Sequence, residues 1–121
     1  MYIQLDGQIL GTGLYYLNGI PIDRDSLCLS SETISWLDSW LKKYWKAKYS
    51  GFKQYKRELN ERQLIDLDFE GLELKRVIER EIQNNNPDCF ITYWSEALGE
   101  HLNDDGGIIY HWEDMVSSNS I

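Results

Sequence analysis

The chain has 121 residues, of which 42% are hydrophobic and 13% aromatic, and it carries a net charge of -8. This length fits one compact domain, and five Trp, eight Tyr and three Phe supply enough large apolar surface to argue against a disordered chain. The excess of acids disfavours nucleic acid and anionic membranes as partners and favours a basic protein.

The sequence predicts a cytoplasmic protein. No apolar stretch approaches the ~20 residues that cross a bilayer, and residues 1–20 lack the basic and apolar regions of a secretory signal. The two cysteines, Cys28 and Cys89, are too few for a disulfide framework or a zinc site. We expect both to be free thiols.

The first part of the chain predicts two β-hairpins. Asp6-Gly7 would form the first tight turn and Asn18-Gly19 the second, because these residues tolerate positive φ. Pro21 cannot donate to a ladder, so the strand after the second turn should lie at an edge or leave the sheet. The extended runs would cover 2–5, 8–10, 13–17 and 20–22.

Two amphipathic patterns follow the hairpins and predict two helices. Ser30 or Ser31 can cap the first helix, which Ser50-Gly51 would end. Asp68 takes the N-cap position of the second helix. Gly71 lies inside that helix at a cost of about 1 kcal/mol relative to alanine, so we expect another element to pack closely there. The helices would cover about 31–49 and 69–83.

The last part of the chain predicts further strands. Residues 89–94 form the most β-prone run and should be central in the sheet, and residues 108–112 read as another short strand. The order of elements predicts one α+β domain over 1–121, with a small, mostly antiparallel sheet packed by the two helices. Residues 116–121 should be a frayed tail.

The sequence predicts no catalytic residues, no metal site and no cofactor. His101 and His111 lie ten positions apart, which matches no metal-binding spacing. The motif Asp66-x-Asp68-x-Glu70 supplies three carboxylates, but the twelfth position of a calcium loop would be Val77 instead of Glu. The serines form no nucleophile elbow, and the glycines form no phosphate loop.

The charges are distributed unevenly. Residues 42–57 carry seven bases and no acid, whereas residues 58–121 carry four bases and fifteen acids. Such runs are usually solvated faces, but aromatic side chains among carboxylates also suit a site for a basic protein. The same rings could instead fill the core. The candidate partner-binding residues are Trp94, Glu96, Glu100, Asp104, Asp105, Trp112, Glu113 and Asp114.

The small size, acidity, cysteine usage and lack of a catalytic set resemble bacterial immunity proteins, including those encoded beside contact-dependent inhibition toxins. Three motifs within 29–96 are also similar to small uncharacterised bacterial proteins: Leu29-Ser30-x-Glu32 leading into Ile34-x-x-Leu37-x-x-Trp40, then Asp68-x-Glu70-Gly71-Leu72-x-Leu74, then Thr92-Tyr93-Trp94-Ser95-Glu96. The first resemblance implies tight binding to a cognate toxin domain, often a nuclease, but it carries over no site residues.

Three functional hypotheses follow. The leading one is a non-catalytic immunity protein that binds and neutralises a basic toxin domain, and the acidic segment 58–121 is its motive. An acidic phage or mobile-element inhibitor that mimics nucleic acid is the alternative, which acids clustered on one face would favour. A small enzyme that uses His101 or His111 is the third, and it would need a pocket holding either imidazole beside a carboxylate.

Overall fold

A computed structural model of the protein describes residues 1–8, 11–50, 54–57 and 59–109, with the backbone alone described for 47–50 and 54–57. A short 3-10 helix at Arg24–Leu27 precedes the first α-helix. The helices are α1 (Ser31–Trp45) and α2 (Glu61–Gln83). The strands are β1 (Tyr2–Asp6), β2 (Leu14–Tyr16), β3 (Ala47–Ser50), β4 (Gln54–Arg57), β5 (Phe90–Ser95), β6 (Glu100–Leu102) and β7 (Ile108–Ile109).

Five strands form one sheet in the order β2-β1-β5-β6-β7. The central position of β5, between β1 and β6, confirms the prediction from the apolar run at 89–94. β1 and β5 are parallel, with Leu5 opposite Tyr93 and Asp6 opposite Trp94, while the other neighbouring pairs in this sheet are antiparallel. A parallel pair needs a long crossover connection, and both helices lie within it. The predicted α+β class and mostly antiparallel sheet are therefore confirmed.

The core lies between the helices and one face of the sheet. Alternate residues of the paired strands β1 and β5 point into it, because side chains alternate between the two faces of a strand. The helices contribute the opposing apolar surface, with α2 packed on β5 and α1 packed on α2. The core residues that are at most 2% exposed include Ile3, Leu5, Leu37, Trp40, Leu41, Tyr44, Leu72, Leu74, Ile78, Ile91 and Tyr93.

The first predicted hairpin is wrong and the second is confirmed in part. β1 pairs with β2 and not with the segment after Asp6-Gly7, and the Asp6 amide donates to the Gly13 carbonyl at 2.9 Å. Gln8 lies outside any strand, and residues 9–10 are not among the described residues. The second turn has three residues, with Gly19 at φ +90°, and Pro21 forms a single bridge to Tyr15.

α1 begins where the sequence predicts and ends earlier. The Ser30 hydroxyl accepts from the Thr33 amide at 3.2 Å, which makes Ser30 the N-cap. The helix stops at Trp45, because residues 47–50 form β3, which pairs with β4 in a separate two-stranded sheet. The prediction that α1 extends to 49 is therefore wrong.

α2 begins eight residues before the predicted start. Asn60 and Gln63 form a capping box, in which each side chain accepts from the other residue's backbone amide at 2.9 Å. Asp68 therefore lies inside the helix and is not its N-cap. The close packing predicted at Gly71 is confirmed, because a Cβ added there would lie 2.5 Å from Tyr93 Cε2.

The end of the described chain completes the sheet. β7 covers Ile108 and Ile109 of the predicted 108–112 strand, and the rest of that strand and the predicted tail at 116–121 lie outside the described residues. β6 was not predicted from the sequence. Among the described helices, none is long and apolar enough to span a membrane.

Candidate functional site

A buried carboxylate lies where both helices meet β5. Asp68 of α2 is 3% exposed and accepts three hydroxyl hydrogen bonds. Tyr44 of α1 and Tyr93 of β5 donate to Oδ1 at 2.8 and 2.6 Å, and Ser95 of β5 donates to Oδ2 at 2.5 Å. We call these four residues the polar cluster.

The secondary structure positions each member of the polar cluster. Tyr93 and Ser95 are two residues apart on β5, so both side chains point to the face that the helices cover. Tyr44 lies in the last turn of α1. The Trp40 ring packs in a tilted arrangement against the rings of both Tyr44 and Tyr93. Three residues that are distant from Asp68 in sequence thus converge on its carboxylate.

Burial dominates the electrostatics of the polar cluster. It raises the pKa of Asp68, and the three hydroxyl donors oppose that rise because they stabilise the ionised form. Burial, together with the nearby Asp68 charge, also raises the pKa values of Tyr44 and Tyr93. Both phenols therefore remain protonated and act as hydrogen-bond donors at neutral pH.

Two further carboxyl groups lie at the end of the parallel strands. Asp6, the last residue of β1, is 3% exposed, and the half-buried Glu96 carboxyl is close enough to affect its ionisation. Burial and the adjacent Glu96 raise the pKa of Asp6 to about 8, although Gln4 and the Gln8 amide oppose this. Asp6 is therefore mostly protonated at pH 7. We call Asp6 and Glu96 the carboxyl pair.

The turn between β5 and β6, residues 96–99, is attached to the polar cluster. The Ala97 amide donates to Tyr44 Oη at 3.1 Å, and the Leu98 amide donates to Ser95 Oγ at 3.0 Å. Glu96 of the carboxyl pair opens the same turn. The position of this turn therefore depends on both groups of buried polar side chains.

The described members of the predicted partner-binding set lie at two different places in the fold. Trp94 follows the core residue Tyr93 and points to the opposite face of the sheet, where its ring packs edge-on against His101 at 4.8 Å. Glu96 and Glu100 are half-buried near that region. Asp104 and Asp105 lie instead in the turn beside α2. Trp112, Glu113 and Asp114 lie outside the described residues.

The turn that carries Asp104 and Asp105, which we call the acidic turn, contacts α2 through an ion pair and a hydrogen bond to the backbone of the turn. Lys75 Nζ lies 2.5 Å from Asp104 Oδ1, and Arg76 Nη2 donates to the Asp104 carbonyl at 2.7 Å. The Asp105 side chain is exposed. The charge at Asp104 is therefore partly compensated, and Asp105 is the more available carboxylate of the two.

Phe69 of α2 is a large exposed apolar side chain that the sequence reasoning missed. It is 57% exposed and lies beside Gly106 of the acidic turn, where an added Cβ would approach Phe69 Cε1 to 3.2 Å. Asp66 and Glu73, three residues before and four after it, are exposed on the same helical face. The Phe69 surface comprises Asp66, Phe69, Glu73, Asp104 and Asp105.

The candidate metal motif is dispersed by the helix. Asp66 pairs with Arg62, Asp68 is buried in the polar cluster, and Glu70 accepts from Lys43 Nζ at 2.7 Å. Residues that are two positions apart in a helix point to different sides of it. Within the described ranges, no group of three His, Cys, Asp or Glu side chains is suited to a metal ion.

His101 lies in β6 and is partly buried. Burial lowers the pKa of its imidazole, which is therefore neutral at pH 7, and its buried Nδ1 makes no hydrogen bond to a described residue. Its nearest aromatic contact is Trp94. His111 lies outside the described residues.

Comparisons with models of protein families, with curated proteins and with solved structures found no match to this chain. Function is therefore inferred from the residues of this chain alone. Two features stand out: the buried polar and carboxyl groups at the end of β1 and β5, and the exposed Phe69 surface on α2.

Proposed function

We propose that the protein is a non-catalytic immunity protein that binds and neutralises a basic toxin domain, such as a nuclease, in the bacterial cytoplasm. The observation that carries this proposal is the Phe69 surface. It combines an aromatic side chain that is 57% exposed with carboxylates on two elements. This differs from the partner-binding set based on Trp94 and Trp112.

The two parts of the Phe69 surface have different physical roles in binding. Full burial of a phenylalanine side chain contributes about 1.5–3 kcal/mol, so Phe69 can act as an anchor in a pocket of the partner. The surrounding carboxylates increase the association rate with a basic surface and disfavour acidic partners. The apolar area of Phe69 and the negative charge of the carboxylates together favour a basic protein partner.

Two observations favour this function over its alternatives. A nucleic acid mimic presents carboxylates in place of phosphates, whereas an exposed aromatic ring lies among the carboxylates of the Phe69 surface. For an enzyme, the acid with the most strongly perturbed pKa would be Asp6, but that side chain is only 3% exposed. The structure therefore supports a nucleic acid mimic or an enzyme less well than it supports a protein that binds its partner through an aromatic anchor.

The proposal predicts that a toxin domain is encoded beside the gene for this chain, and the test uses that domain. Phe69→Ala should weaken its binding by about 2 kcal/mol or more, mainly through faster dissociation, and should reduce the protection of cells that produce the toxin. Ile20→Ala is the matched control, because Ile20 is 56% exposed directly after the turn that follows β2. Both variants should retain the wild-type melting temperature.

The charged part is tested by reversing two exposed acids. Glu73→Lys combined with Asp105→Lys should slow association, and the loss should shrink as salt is raised. Both residues avoid the Lys75 ion pair of Asp104, so folding should be preserved. If the toxin domain does not bind the wild-type protein, or binds every variant equally well, the proposed function is wrong.

A further inference from the structure

The strands β3 and β4 form a two-stranded sheet apart from the main one, and we call them the basic ribbon. Among the described helices and strands, they make extensive contact only with each other. They lie within residues 42–57, which carry seven bases and no acid. The basic ribbon is therefore a strongly positive element of a protein whose net charge is -8.

The register of the basic ribbon places like charges opposite each other. Lys48 pairs with Lys56, and Tyr49 pairs with Tyr55. Arg57 shares a face with the tyrosine pair, because positions two apart in a strand lie on the same face. Directly opposed like charges destabilise a pair of strands. Carboxylates from a partner would therefore stabilise this ribbon.

The end of α1 extends the positive charge that leads into the basic ribbon. Lys42 and Lys46 are exposed, and neither forms an ion pair with a described residue. Lys43 is compensated by Glu70, whose Oε1 lies 2.7 Å from its Nζ. Contacts within the described part of the chain thus leave two of these three lysines without a counter-charge.

The Phe69 surface has the complementary character. Glu73 and Asp105 are exposed and form no ion pair with a described residue, and Phe69 itself is 57% exposed. Carboxylates around an aromatic ring match a ribbon face that combines two tyrosines with Arg57. α2 begins four residues after Arg57, and Phe69 lies about 12 Å along the helix from that start. One molecule therefore carries both complementary surfaces on neighbouring elements.

We propose that the protein self-associates as a two-fold dimer in which the basic ribbon of each copy binds the Phe69 surface of the other. A two-fold axis forms both contacts at once, because each copy presents the same two surfaces. In about 0.1 M salt, charges more than about 10 Å apart are largely screened. Attraction at the two contacts therefore exceeds the repulsion between two copies of net charge -8.

A second copy fits the basic ribbon better than a nucleic acid does. Phosphates would match the lysines, but the many acids of the same molecule repel a polyanion. A nucleic acid bound at the ribbon would also leave the exposed Phe69 ring in water, whereas a second copy covers it. Self-association requires no toxin and is therefore independent of the proposed function, although a toxin bound at the Phe69 surface would displace the second copy.

The test measures sedimentation equilibrium of the full chain, without a toxin, from about 1 µM to about 500 µM protein. The wild type should show a reversible equilibrium between monomer and dimer. Its dissociation constant should rise about tenfold when the salt is raised from about 0.1 M to about 0.5 M. A wild type that remains monomeric over this range would overturn the proposal.

Two variants each reverse the charge of one surface. Lys56→Glu with Arg57→Glu changes the basic ribbon, and the first substitution places opposite charges across the strands at Lys48, so the ribbon should still form. Glu73→Lys with Asp105→Lys changes the Phe69 surface. Each variant alone should be monomeric over the same concentrations, and wild-type association in either folded variant would contradict the proposal.

An equimolar mixture of the two variants is the decisive measurement. One contact then joins two unchanged surfaces, and the other joins two surfaces whose charges are both reversed, so the mixture should form a heterodimer. Arg80→Glu is the control, because this exposed residue of α2 lies about 16 Å along the helix from Phe69, and it should dimerise as the wild type does.

Circular dichroism establishes which variants are folded. If either charge-reversed variant does not fold, Phe69→Ala decides the question, since removal of the ring should raise the dissociation constant of the dimer about tenfold. A mixture of folded variants that remains monomeric would refute the two-fold arrangement. Binding of a DNA duplex by a monomeric wild type, lost in Lys56→Glu with Arg57→Glu, would assign the basic ribbon to nucleic acid instead.

Discussion

The most constrained single residue is Asp68. Its carboxylate accepts from Tyr44, Tyr93 and Ser95, and all four side chains are at most 3% exposed. Burying a charge is costly unless hydrogen bonds compensate for the lost water. The three hydroxyls provide that compensation, and Asp68 in turn satisfies three buried donors.

Asp68→Ala should lower the free energy of unfolding by about 3 kcal/mol or more, since each buried hydroxyl left without an acceptor costs about 1–3 kcal/mol. Denaturant unfolding at pH 7 measures the change. The control is Asp66→Ala in the same helix, where the side chain is 63% exposed. That control should change stability by less than about 0.5 kcal/mol. Equal effects of the two substitutions would contradict the role assigned to Asp68.

The position of Asp68 also shows why the local sequence did not predict the polar cluster. Aspartate is a common N-cap, and the mixed polar residues before it favour a loop, so the pattern predicts a helix start there. The residues that bond its carboxylate lie at positions 44, 93 and 95. Local patterning cannot identify partners that only the tertiary fold brings together.

At the scale of elements, α1, α2 and β5 meet at Gly71. The Tyr93 ring lies against the glycine, and the Trp40 ring packs 6.2 Å from the Tyr93 ring centroid. Trp40 Nε1 also donates to the Leu67 carbonyl at 2.8 Å, which ties α1 to α2. The missing side chain at Gly71 allows two helices and a strand to approach through large aromatic residues.

Gly71→Ala tests this packing, because two effects oppose each other. Alanine gains about 1 kcal/mol of helix propensity, but its Cβ would lie 2.5 Å from Tyr93 Cε2 and 2.8 Å from Trp40 Cζ2. Overpacking typically costs about 1–3 kcal/mol, so we expect net destabilisation in thermal unfolding. Glu73→Ala, at an exposed site of α2, should be near neutral. A stabilised Gly71→Ala would show that the rings readily move aside.

The boundaries of the elements were predicted less well than their existence. Gly71 was correctly interpreted as a contact site, and Ser30 was correctly placed as one of two possible caps. The start of α2 was wrong because the capping box formed by Asn60 and Gln63 was not recognised in a segment with a mixed pattern. The end of α1 was wrong because the lysine-rich segment continues into β3, which has no alternating pattern that separates it from a helix.

At the scale of the whole molecule, the two cysteine thiols differ in their access to solvent. Cys28 is exposed, and Cys89 is 1% exposed in the core, where burial raises the pKa of its thiol. The prediction that both are free thiols agrees with the structure, which contains each as a free cysteine. Reactivity toward a thiol reagent should therefore distinguish surface access from opening of the core.

In the folded protein, one equivalent of a disulfide reagent should react quickly at Cys28, and the second should react only as fast as the core opens. The Cys28→Ser variant isolates the slow reaction, and Asp68→Ala should accelerate it in proportion to the lost stability. Rapid reaction of both thiols in the native wild type would contradict the buried position of Cys89.

The α+β class and the central β5 were predictable from the order of the patterns, but the parallel pairing of β1 with β5 was not. Both strands are short, and the pairing joins Tyr2 to Phe90. Local turn residues favoured a hairpin after Asp6 instead, which the longer connection to β2 replaces. Pairing between distant strands depends on how the intervening helices pack, and no local signal specifies it.

The β1–β5 pairing also sets an order of events during synthesis. β1 lies between β2 and β5, so one of its edges stays open during synthesis until β5 has been made. An open edge is a site for pairing with other chains. The sheet can close only late, because its longest-range contact joins the first residues to some of the last described ones, and such contacts form slowly. The interval between the synthesis of β1 and that of β5 is therefore when this chain is most exposed to misassembly.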